Sequence, residues 1–217
     1  MRKFNEPIHI IGLGSTGSYI ALHLAKKGVE SFGEVHGWDG DVVDLGNCRS
    51  QTYNSRHVGL LKTNALAQQM REWGDVKMVG HSDFVDSPQL FSGVVFLCVD
   101  TMKGRHDIWM QSIKNNPCVT LMIEMRLETT HSLIHVVDPR NPEHVRMWER
   151  YWYPDDEATT TGSCGAATSL GPIADITANI CVWQFIRAVE IADGAEDVLD
   201  NQIRVNMRPF TIETFQW

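Results

Sequence analysis

The stretch Ile8-His9-Ile10-Ile11-Gly12-Leu13-Gly14-Ser15-Thr16-Gly17 decides the fold. Its apolar run ends at Gly12 and predicts a buried strand, and residues 18–27 then carry apolar side chains at helical spacing. Gly-x-Gly-x-x-Gly between a strand and a helix lets a phosphate approach the backbone at a helix N-terminus with free amide donors. Asp39 ends the next predicted strand, where a carboxylate can accept hydrogen bonds from ribose hydroxyls. The pattern predicts a nucleotide site, with NAD and ATP both open, whose candidate members are Gly12, Gly14, Ser15, Thr16, Gly17 and Asp39.

Strand-sized apolar runs alternate with helical segments in the first part of the chain. The predicted strands are 34–38, 76–79, 94–99 and 118–123, and the predicted helices are 60–73 and 104–114. This alternation predicts an α/β, Rossmann-like doubly wound sheet, mostly parallel, with helices on both faces.

The pattern changes after about residue 125. Residues 125–126 and 132–137 predict a strand pair near a sheet edge, residues 173–191 a long helix and residues 202–215 a terminal hairpin, which together form an antiparallel C-terminal extension. We expect a single domain over 1–217. It would comprise a nucleotide-binding half (about 1–125), a crossover loop (about 138–163) and a C-terminal helix and hairpin (about 172–217).

The composition argues against several classes of protein. The chain has 217 residues, with 43% hydrophobic and 21% charged residues, near the globular average. Its net charge of -8 argues against broad nucleic-acid binding. The longest apolar run, Val94–Val99, is far shorter than the ~18 residues that a membrane span needs. Five cysteines, odd in number and never in a Cys-x-x-Cys pair, argue against disulfides and structural zinc and predict a reducing cytoplasm.

The residues that follow Asp39 favour ATP over NAD. Residues 38–51 hold a dense set of polar groups for which a dehydrogenase has no evident need. Lys62, at the start of a predicted helix, is placed to neutralise phosphate. Asp100 ends a predicted parallel strand, where ligands bind in open α/β sheets, and a carboxylate near a triphosphate suits Mg²⁺. The alternative for Asp100 is a helix cap, since a turn and a helix follow.

The motifs occur in a specific order along the chain. They are the glycine loop, Asp39-Gly40-Asp41, Asn47 with Gln51, Val58-Gly59-Leu60-Leu61-Lys62, Asp100 with Arg105, Cys164 and Gly171-Pro172. In order and spacing they resemble the adenylation domain of the ubiquitin-activating-enzyme-like superfamily (ThiF/HesA/MoeB), over about residues 8–190. Each motif alone is weak, and the set is specific.

This resemblance implies an enzyme that joins the C-terminal carboxylate of a protein to the α-phosphate of ATP and releases pyrophosphate. The glycine loop would admit the phosphates, Asp39 would hold the ribose and Asp100 would bind Mg²⁺. Arg105 either takes part in the site or only pairs with a carboxylate on its own helix. The other residues implied to bind the nucleotide are Asp41, Asn47, Arg49, Gln51 and Lys62. The implied partners are a ubiquitin-like or sulfur-carrier-like protein ending in glycine and a second copy of the chain, with the last helix or the hairpin near that homodimer interface.

The chain departs from the family pattern in two respects, and the role of one matching residue stays open. Ser50 stands where the family has an arginine, so Arg49 or an arginine of a partner subunit, such as Arg2, would have to replace it. The paired Cys-x-x-Cys motifs of the family zinc site are absent. Cys164 matches a position where some members accept the activated carboxylate and where others have a dispensable cysteine, so its role stays open between nucleophile and structural residue.

Two other functions stay open on the sequence. A nicotinamide-dependent oxidoreductase explains the glycine loop and Asp39, but it explains neither Lys62 nor residues 47–51. A non-catalytic nucleotide-binding member of the family explains the lost arginine at Ser50, but the retained Lys62 and Asp100 argue against it.

Overall fold

A strand, the glycine loop and a helix form the centre of the fold. The computed structural model describes residues 4–27, 33–155 and 171–217. The strands are β1 (Ile8–Ile11), β2 (Val35–Trp38), β3 (Met78–His81), β4 (Gly93–Leu97), β5 (Val119–Leu127), β6 (His131–Val137), β7 (Gln202–Met207) and β8 (Phe210–Phe215). The α-helices are α1 (Ser15–Lys27), α2 (Lys62–Gly74), α3 (Met102–Ile108), α4 (Pro142–Arg150) and α5 (Gly171–Ala192).

The predicted doubly wound sheet is confirmed. Within the described residues the strands form one sheet in the order β3-β2-β1-β4-β5-β6-β7-β8. The pairings from β3 to β5 are parallel, and β1 and β4 at the centre are buried along their whole length. Continuous apolar runs are typical of such doubly covered strands. The strand order reverses between β1 and β4, and ligands bind open α/β sheets at the carboxyl ends of strands at such a point.

The C-terminal extension is antiparallel, as predicted, but one detail of the prediction is wrong. The segments 118–123 and 125–126 belong to the single strand β5, and β6 pairs with both β5 and β7. The 132–137 segment is therefore interior, and β8 is the strand at this end of the sheet. Glu124 and Arg126, the charged residues of β5, are buried and pair with other buried side chains.

The predicted crossover loop over 138–163 is wrong for residues 142–150, which form α4. Asn141 caps this helix by accepting a hydrogen bond from the Glu143 amide, and Pro142 lies in its first turn. Both are helix-start signals. Trp148 is fully buried and anchors the helix to the sheet. Residues 156–170, which contain Cys164, lie outside the described residues.

Two apolar clusters cover the faces of the sheet. The larger joins the sheet to α1, α2 and α5, through residues such as Ile20, Leu66 and Phe185. The smaller joins the other face to α3 and α4, through Ile108 and Trp148. None of the helices in the described ranges has the length and apolar character needed to cross a bilayer. The glycine loop leads directly into α1, which begins at Ser15 rather than at residue 18.

Candidate functional site

A cavity of about 770 Å³ opens where the carboxyl ends of β1, β2 and β4 meet. Most residues that the sequence assigns to a nucleotide site line it: Gly12, Gly14, Ser15, Thr16, Asp39, Asp41, Asn47, Arg49, Gln51, Lys62 and Asp100. Gly17 is not part of the lining, and Cys164 and Arg2 lie outside the described residues. The fold therefore gathers side chains that are almost 90 residues apart in the sequence around one space.

The three glycines of the loop have different physical reasons for lacking a side chain. Gly12 has φ +88°, and a Cβ there would lie 2.8 Å from the Cys98 carbonyl oxygen. A Cβ on Gly17 would lie 1.9 Å from the Gly12 carbonyl oxygen, so helix and loop pack backbone to backbone. A Cβ on Gly14 would meet no atom within 4 Å. The packing of the chain requires Gly12 and Gly17, whereas the space at Gly14 fits a ligand phosphate near the start of α1.

Asp39 is held rigidly at the end of β2. It is 6% exposed, and its carboxylate accepts hydrogen bonds from the Leu13 amide (2.7 Å) and the Asp41 amide (2.8 Å). The Tyr53 hydroxyl donates a hydrogen bond to the Leu13 carbonyl oxygen (2.8 Å) and so fixes a second group of the same loop. Burial, and then the charges of Asp39 and Asp41, raise the pKa of Tyr53 well above its ordinary value, so the phenol remains a donor.

Lys62 is fixed by two carboxylates of the site. Its Nζ lies 2.6 Å from Asp41 Oδ2 and 3.7 Å from Asp39 Oδ2, and its side chain is 8% exposed. A short antiparallel bridge between Val42 and Leu61, next to a hydrogen bond from the Lys62 amide to the Asp41 carbonyl (2.9 Å), brings these distant residues together. The lysine is therefore a pre-positioned cation in the cavity wall.

Asp100 and Arg49 are exposed charges in the cavity lining. Asp100 is not the cap of α3, because the Thr101 side chain takes that role and accepts a hydrogen bond from the Gly104 amide (3.1 Å). Within the described parts of the chain, neither Asp100 nor Arg49 forms an ion pair. The two side chains are thus available to a ligand of the cavity.

The donor set suits Mg²⁺ bound together with a phosphate rather than a metal held by protein alone. Across residues 4–27, 33–155 and 171–217, no group of three or more His, Cys, Asp or Glu side chains forms a metal site. Mg²⁺ is commonly held by one or two carboxylates, substrate phosphates and water. An exposed carboxylate such as Asp100 on the wall of this cavity fits that mode of binding.

Arg105 pairs with a carboxylate, but on a strand of the sheet and not on its own helix. Its Nη1 lies 2.8 Å from Glu124 Oε1, its Nη2 donates to the Val99 carbonyl, and the buried residue also lines the cavity. Glu124 is fully buried and further binds Arg126 Nε (2.8 Å) and His135 Nδ1 (2.7 Å).

Glu124, Arg105, Arg126 and His135 form a buried cluster of charged and polar groups, and the charges around Glu124 decide whether Glu124 is protonated. Burial alone would raise the pKa of Glu124, but Arg126, Arg105 and His135 together hold it well below its ordinary value. Burial lowers the pKa of His135 although His135 donates a hydrogen bond to the Glu124 carboxylate, which raises it. Sequence reasoning did not find the cluster. The sequence signal that could have found this cluster is the pair Glu124 and Arg126 inside an otherwise apolar strand, because residues two apart in a strand point to the same face.

Two aromatic side chains, Phe84 and Trp38, form an aromatic wall in the cavity lining, next to Val85. The Trp38 ring stacks on His81 with centroids 3.7 Å apart and planes 6° apart. The Phe84 ring lies over Gly40, where a Cβ would come within 2.8 Å of it. Sequence reasoning missed these residues, because Phe84 stands in a loop with no regular pattern. Such a wall suits the flat face of a nucleobase.

Comparison with known proteins identifies the family. The model of the ThiF family matches residues 4–217. The chain is 26% identical over 200 residues to "Adenylyltransferase and sulfurtransferase uba4" of Aspergillus terreus, covering 87% of this chain and 40% of that protein. It is 27% identical over 194 residues to the protein of the same name from Aspergillus clavatus, covering 84% and 38%. The chain thus spans about 40% of the length of the curated relatives it matches.

Solved structures share the fold at low sequence identity. PaaA superposes with a TM-score of 0.71 and 16% identity, over 97% of this chain and 64% of the other. Escherichia coli MccB with ATP superposes with a TM-score of 0.68 and 13% identity, over 98% and 64%. Since the family model extends over nearly the whole sequence, the chain belongs to the ThiF family.

Proposed function

We propose that the chain is an ATP-dependent adenylating enzyme that acts on the C-terminal carboxylate of a ubiquitin-like or sulfur-carrier-like protein. The observation that carries this proposal is the convergence of Gly14, Asp39, Lys62 and Asp100 on one cavity that the aromatic side chains of Trp38 and Phe84 also line. The names of the Aspergillus relatives, which include adenylyltransferase, and the ATP in the MccB structure support it.

The proposed reaction transfers an adenylyl group. A carboxylate oxygen of the carrier protein attacks the α-phosphorus of ATP and forms a new oxygen–phosphorus bond. The bond from the α-phosphorus to its bridging oxygen breaks, and the electron pair leaves with pyrophosphate. This chemistry needs positioning and charge neutralisation rather than a strong acid or base.

The side chains of the cavity match these two needs. Asp39, held by two backbone amides, would fix the ribose, and the open space at Gly14 would admit a phosphate. Lys62 and Arg49 would neutralise phosphate charge, with Arg49 in place of the family arginine that is lost at Ser50. Asn47 and Gln51, also in the lining, would complete the phosphate contacts. Asp100 would hold Mg²⁺, which when bound neutralises the phosphates and orients them.

The test is ATP–pyrophosphate exchange with purified small proteins ending in glycine from the same organism. We expect exchange that depends on one such carrier and on Mg²⁺. Calorimetry supplies a second measurement, in which ATP with Mg²⁺ binds more tightly than NAD. If no carrier supported exchange and NAD bound more tightly than ATP, the oxidoreductase would be favoured. If ATP bound but no exchange occurred, the non-catalytic alternative would be favoured.

Lys62→Met and Asp100→Asn test the site itself. Each removes a charge that we place next to the phosphates, so we expect exchange to fall by about 100-fold or more. Lys103→Met is the control for Lys62, because Lys103 is an exposed lysine that pairs only with Asp107 among the described residues. Exchange at the wild-type rate in Asp100→Asn would contradict the assignment of Asp100 as the Mg²⁺ ligand, but it would not contradict the nucleotide site.

We propose that residues 1–217 act as one adenylation domain in a cytoplasmic homodimer. Sedimentation at several protein concentrations tests the homodimer.

Transfer of the activated carboxylate to Cys164 is a separate step: the Cys164 thiolate would attack the acyl carbon and AMP would leave. Cys164→Ala would then retain exchange and lose the thioester, and retention of full product transfer would make Cys164 a structural residue.

A further inference from the structure

The Arg105 guanidinium binds the backbone of the turn that carries Asp100. Its Nη1 donates to the Leu97 carbonyl oxygen (3.3 Å), and its Nη2 donates to the Val99 carbonyl oxygen. The strand β4 ends at Leu97, and Asp100 directly follows Val99. One side chain therefore joins the last residue of the strand to the residue that precedes Asp100.

Asp100 lies beyond the part of the chain that the sheet fixes. The Cys98 amide donates to the Ile11 carbonyl oxygen of β1 (2.8 Å), and Asp100 stands two residues further on. Asp100 is exposed and receives no ion pair from the part of the chain that the structure describes. The direction of its carboxylate therefore depends on the backbone of the turn, which Arg105 binds.

The same turn touches the glycine loop. The Cys98 carbonyl oxygen lies so close to Gly12 that a Cβ there would come within 2.8 Å of it. Cys98 stands between the two residues whose carbonyls Arg105 binds. Gly12, Cys98, Asp100 and Arg105 all line the cavity. Arg105 thus sets where Asp100 stands relative to the loop that we place around the phosphates.

Glu124 holds Arg105 in this position. Leu97 in β4 and Glu124 in β5 are register partners, and Arg105 Nη1 lies 2.8 Å from Glu124 Oε1. The Arg105 and Glu124 side chains are 1% and 0% exposed, so water does not compete for their hydrogen bonds. A buried ion pair adds little net stability, because the cost of desolvating two charges offsets their attraction. Fixing one geometry is a function that such a pair can serve.

We propose that Arg105, oriented by Glu124, is a positioning residue that directs the Asp100 carboxylate toward Mg²⁺ bound with the nucleotide. This inference rests on the proposed function, and it gives Arg105 a role in the site without contact to the phosphates. Both terminal nitrogens of Arg105 are engaged by the protein, so the arginine acts through the turn.

The test measures how much Mg²⁺ strengthens the binding of a fluorescent, non-hydrolysable ATP analogue. Anisotropy titrations in MgCl₂ and in EDTA give two dissociation constants, and their ratio is the gain from Mg²⁺. We expect a gain of at least about fivefold in the wild-type protein, a coupling of ordinary size between two ligands. Arg105→Gln should lose most of this gain, as Asp100→Asn does, and should bind the analogue in EDTA within about twofold of wild type.

Two further variants separate positioning from a general effect on folding. In the Asp100→Asn protein, adding Arg105→Gln should leave the gain unchanged, because an arginine that acts through Asp100 has no carboxylate left to position. Arg105→Lys keeps the buried charge opposite Glu124 but not the planar fork, so it should fold and show an intermediate gain. This variant carries the test if Arg105→Gln does not fold.

Arg187→Gln is the matched control. Like Arg105, Arg187 binds a carboxylate (Asp200, 2.6 Å) and a backbone carbonyl (Val198, 2.6 Å). It lies in α5 and does not belong to the described lining of the cavity. Arg187→Gln should therefore keep the wild-type gain from Mg²⁺.

Three results would overturn the inference. The first is a wild-type gain in every Arg105 variant that folds, which would make Arg105 a structural residue only. The second is a loss of affinity in Arg105→Gln that is equal in EDTA and in MgCl₂, which would make Arg105 a direct phosphate ligand. The third is a wild-type protein that gains nothing from Mg²⁺. Failure of the proposed function has a different signature, since ATP–pyrophosphate exchange would then be absent while the gain from Mg²⁺ still depended on Arg105.

Discussion

At the scale of the residue, the glycine loop separates what folding requires from what the ligand requires. The sequence pattern treats Gly14 and Gly17 alike, but the space around them differs. A Cβ on Gly17 would collide with a backbone oxygen at 1.9 Å, and a backbone atom cannot move aside as a side chain does. A Cβ on Gly14 would enter empty space on the cavity wall.

Gly14→Ala and Gly17→Ala should therefore fail in opposite ways. Gly17→Ala should lose about 3 kcal/mol or more of the free energy of unfolding, as an overpacked site does. Gly14→Ala should change the free energy of unfolding by less than about 0.5 kcal/mol, but weaken ATP binding by about tenfold or more, because its methyl group would occupy the phosphate space. Urea unfolding and calorimetry measure the two quantities. If Gly14→Ala bound ATP as wild type does, the phosphate would have to lie elsewhere.

Residue types could be predicted from the sequence, but not their partners. Asp39, Lys62 and Asp100 were placed by motif and spacing, and all three line the cavity. The pairing of Lys62 with Asp41 depends on the bridge between Val42 and Leu61, which no local pattern encodes. For Arg105 the sequence left open a role in the site or a partner on its own helix and did not offer Glu124, because helical spacing is visible in a sequence and contact between a helix and a strand is not.

At the scale of the element, α3 is fixed by a carboxylate from a distant segment. Asp155 Oδ1 accepts from the Met102 amide (2.6 Å) and Oδ2 accepts from the Lys103 amide (3.1 Å), both in the first turn of α3. Trp152 reinforces the contact by donating its Nε1 to the Met102 carbonyl (3.1 Å). The carboxylate satisfies two free amides at the positive end of a helix that begins next to Asp100.

Asp155→Ala should therefore lower the free energy of unfolding by about 1 to 2 kcal/mol. Asp107→Ala is the matched control, because Asp107 is a carboxylate of the same helix in an exposed pair with Lys103, and such pairs contribute less than about 1 kcal/mol. Urea unfolding of both variants decides the matter. Equal losses in the two would mean that Asp155 does not cap the helix in solution.

Elements with long periodic patterns could be predicted, and those set by tertiary pairing could not. The central strands and α5 were recognised because continuous apolar runs and 3.6-residue spacing reflect burial directly. The helix α4 was missed although Asn141-Pro142 is a start signal, because its polar sequence buries only Trp148. The interior position of β6 was missed because β6 also pairs with β7, and a pairing between strands that are far apart in the sequence leaves no local pattern.

At the scale of the whole molecule, burial lowers the pKa of four histidines, among them His9 in the central strand β1. His9 is 6% exposed and stacks on His36 with ring centroids 4.8 Å apart, and His36 in turn lies 3.0 Å from His81. Burial, and then the proximity of His36 and His81, lower the pKa of His9 to about 4 from 6.5. Burial likewise lowers the pKa of His81, His135 and His144.

The sign of the resulting pH dependence follows from linkage. Above about pH 6.5 His9 is neutral in both the folded and the unfolded chain, so its full contribution to stability is present. As the pH falls from 6.5 toward 4, His9 becomes protonated in the unfolded chain but stays neutral in the folded chain, so the free energy of unfolding decreases. For His9 alone the loss between pH 7.5 and pH 5.0 is about 2 kcal/mol. The other three histidines act in the same direction.

His9→Phe should therefore be less sensitive to acid than the wild-type protein. The difference in the free energy of unfolding between pH 7.5 and pH 5.0, measured in urea, should shrink by about 2 kcal/mol in this variant. Phe91→Leu is the control, because Phe91 packs against His9 with ring centroids 5.0 Å apart and carries no proton. Phe91→Leu should lower the free energy of unfolding by a similar amount at pH 7.5 and at pH 5.0. The difference in the free energy of unfolding between the two pH values should therefore equal that of the wild-type protein. An unchanged difference in His9→Phe would mean that His9 is protonated in the fold, and that acid sensitivity arises elsewhere in the sheet.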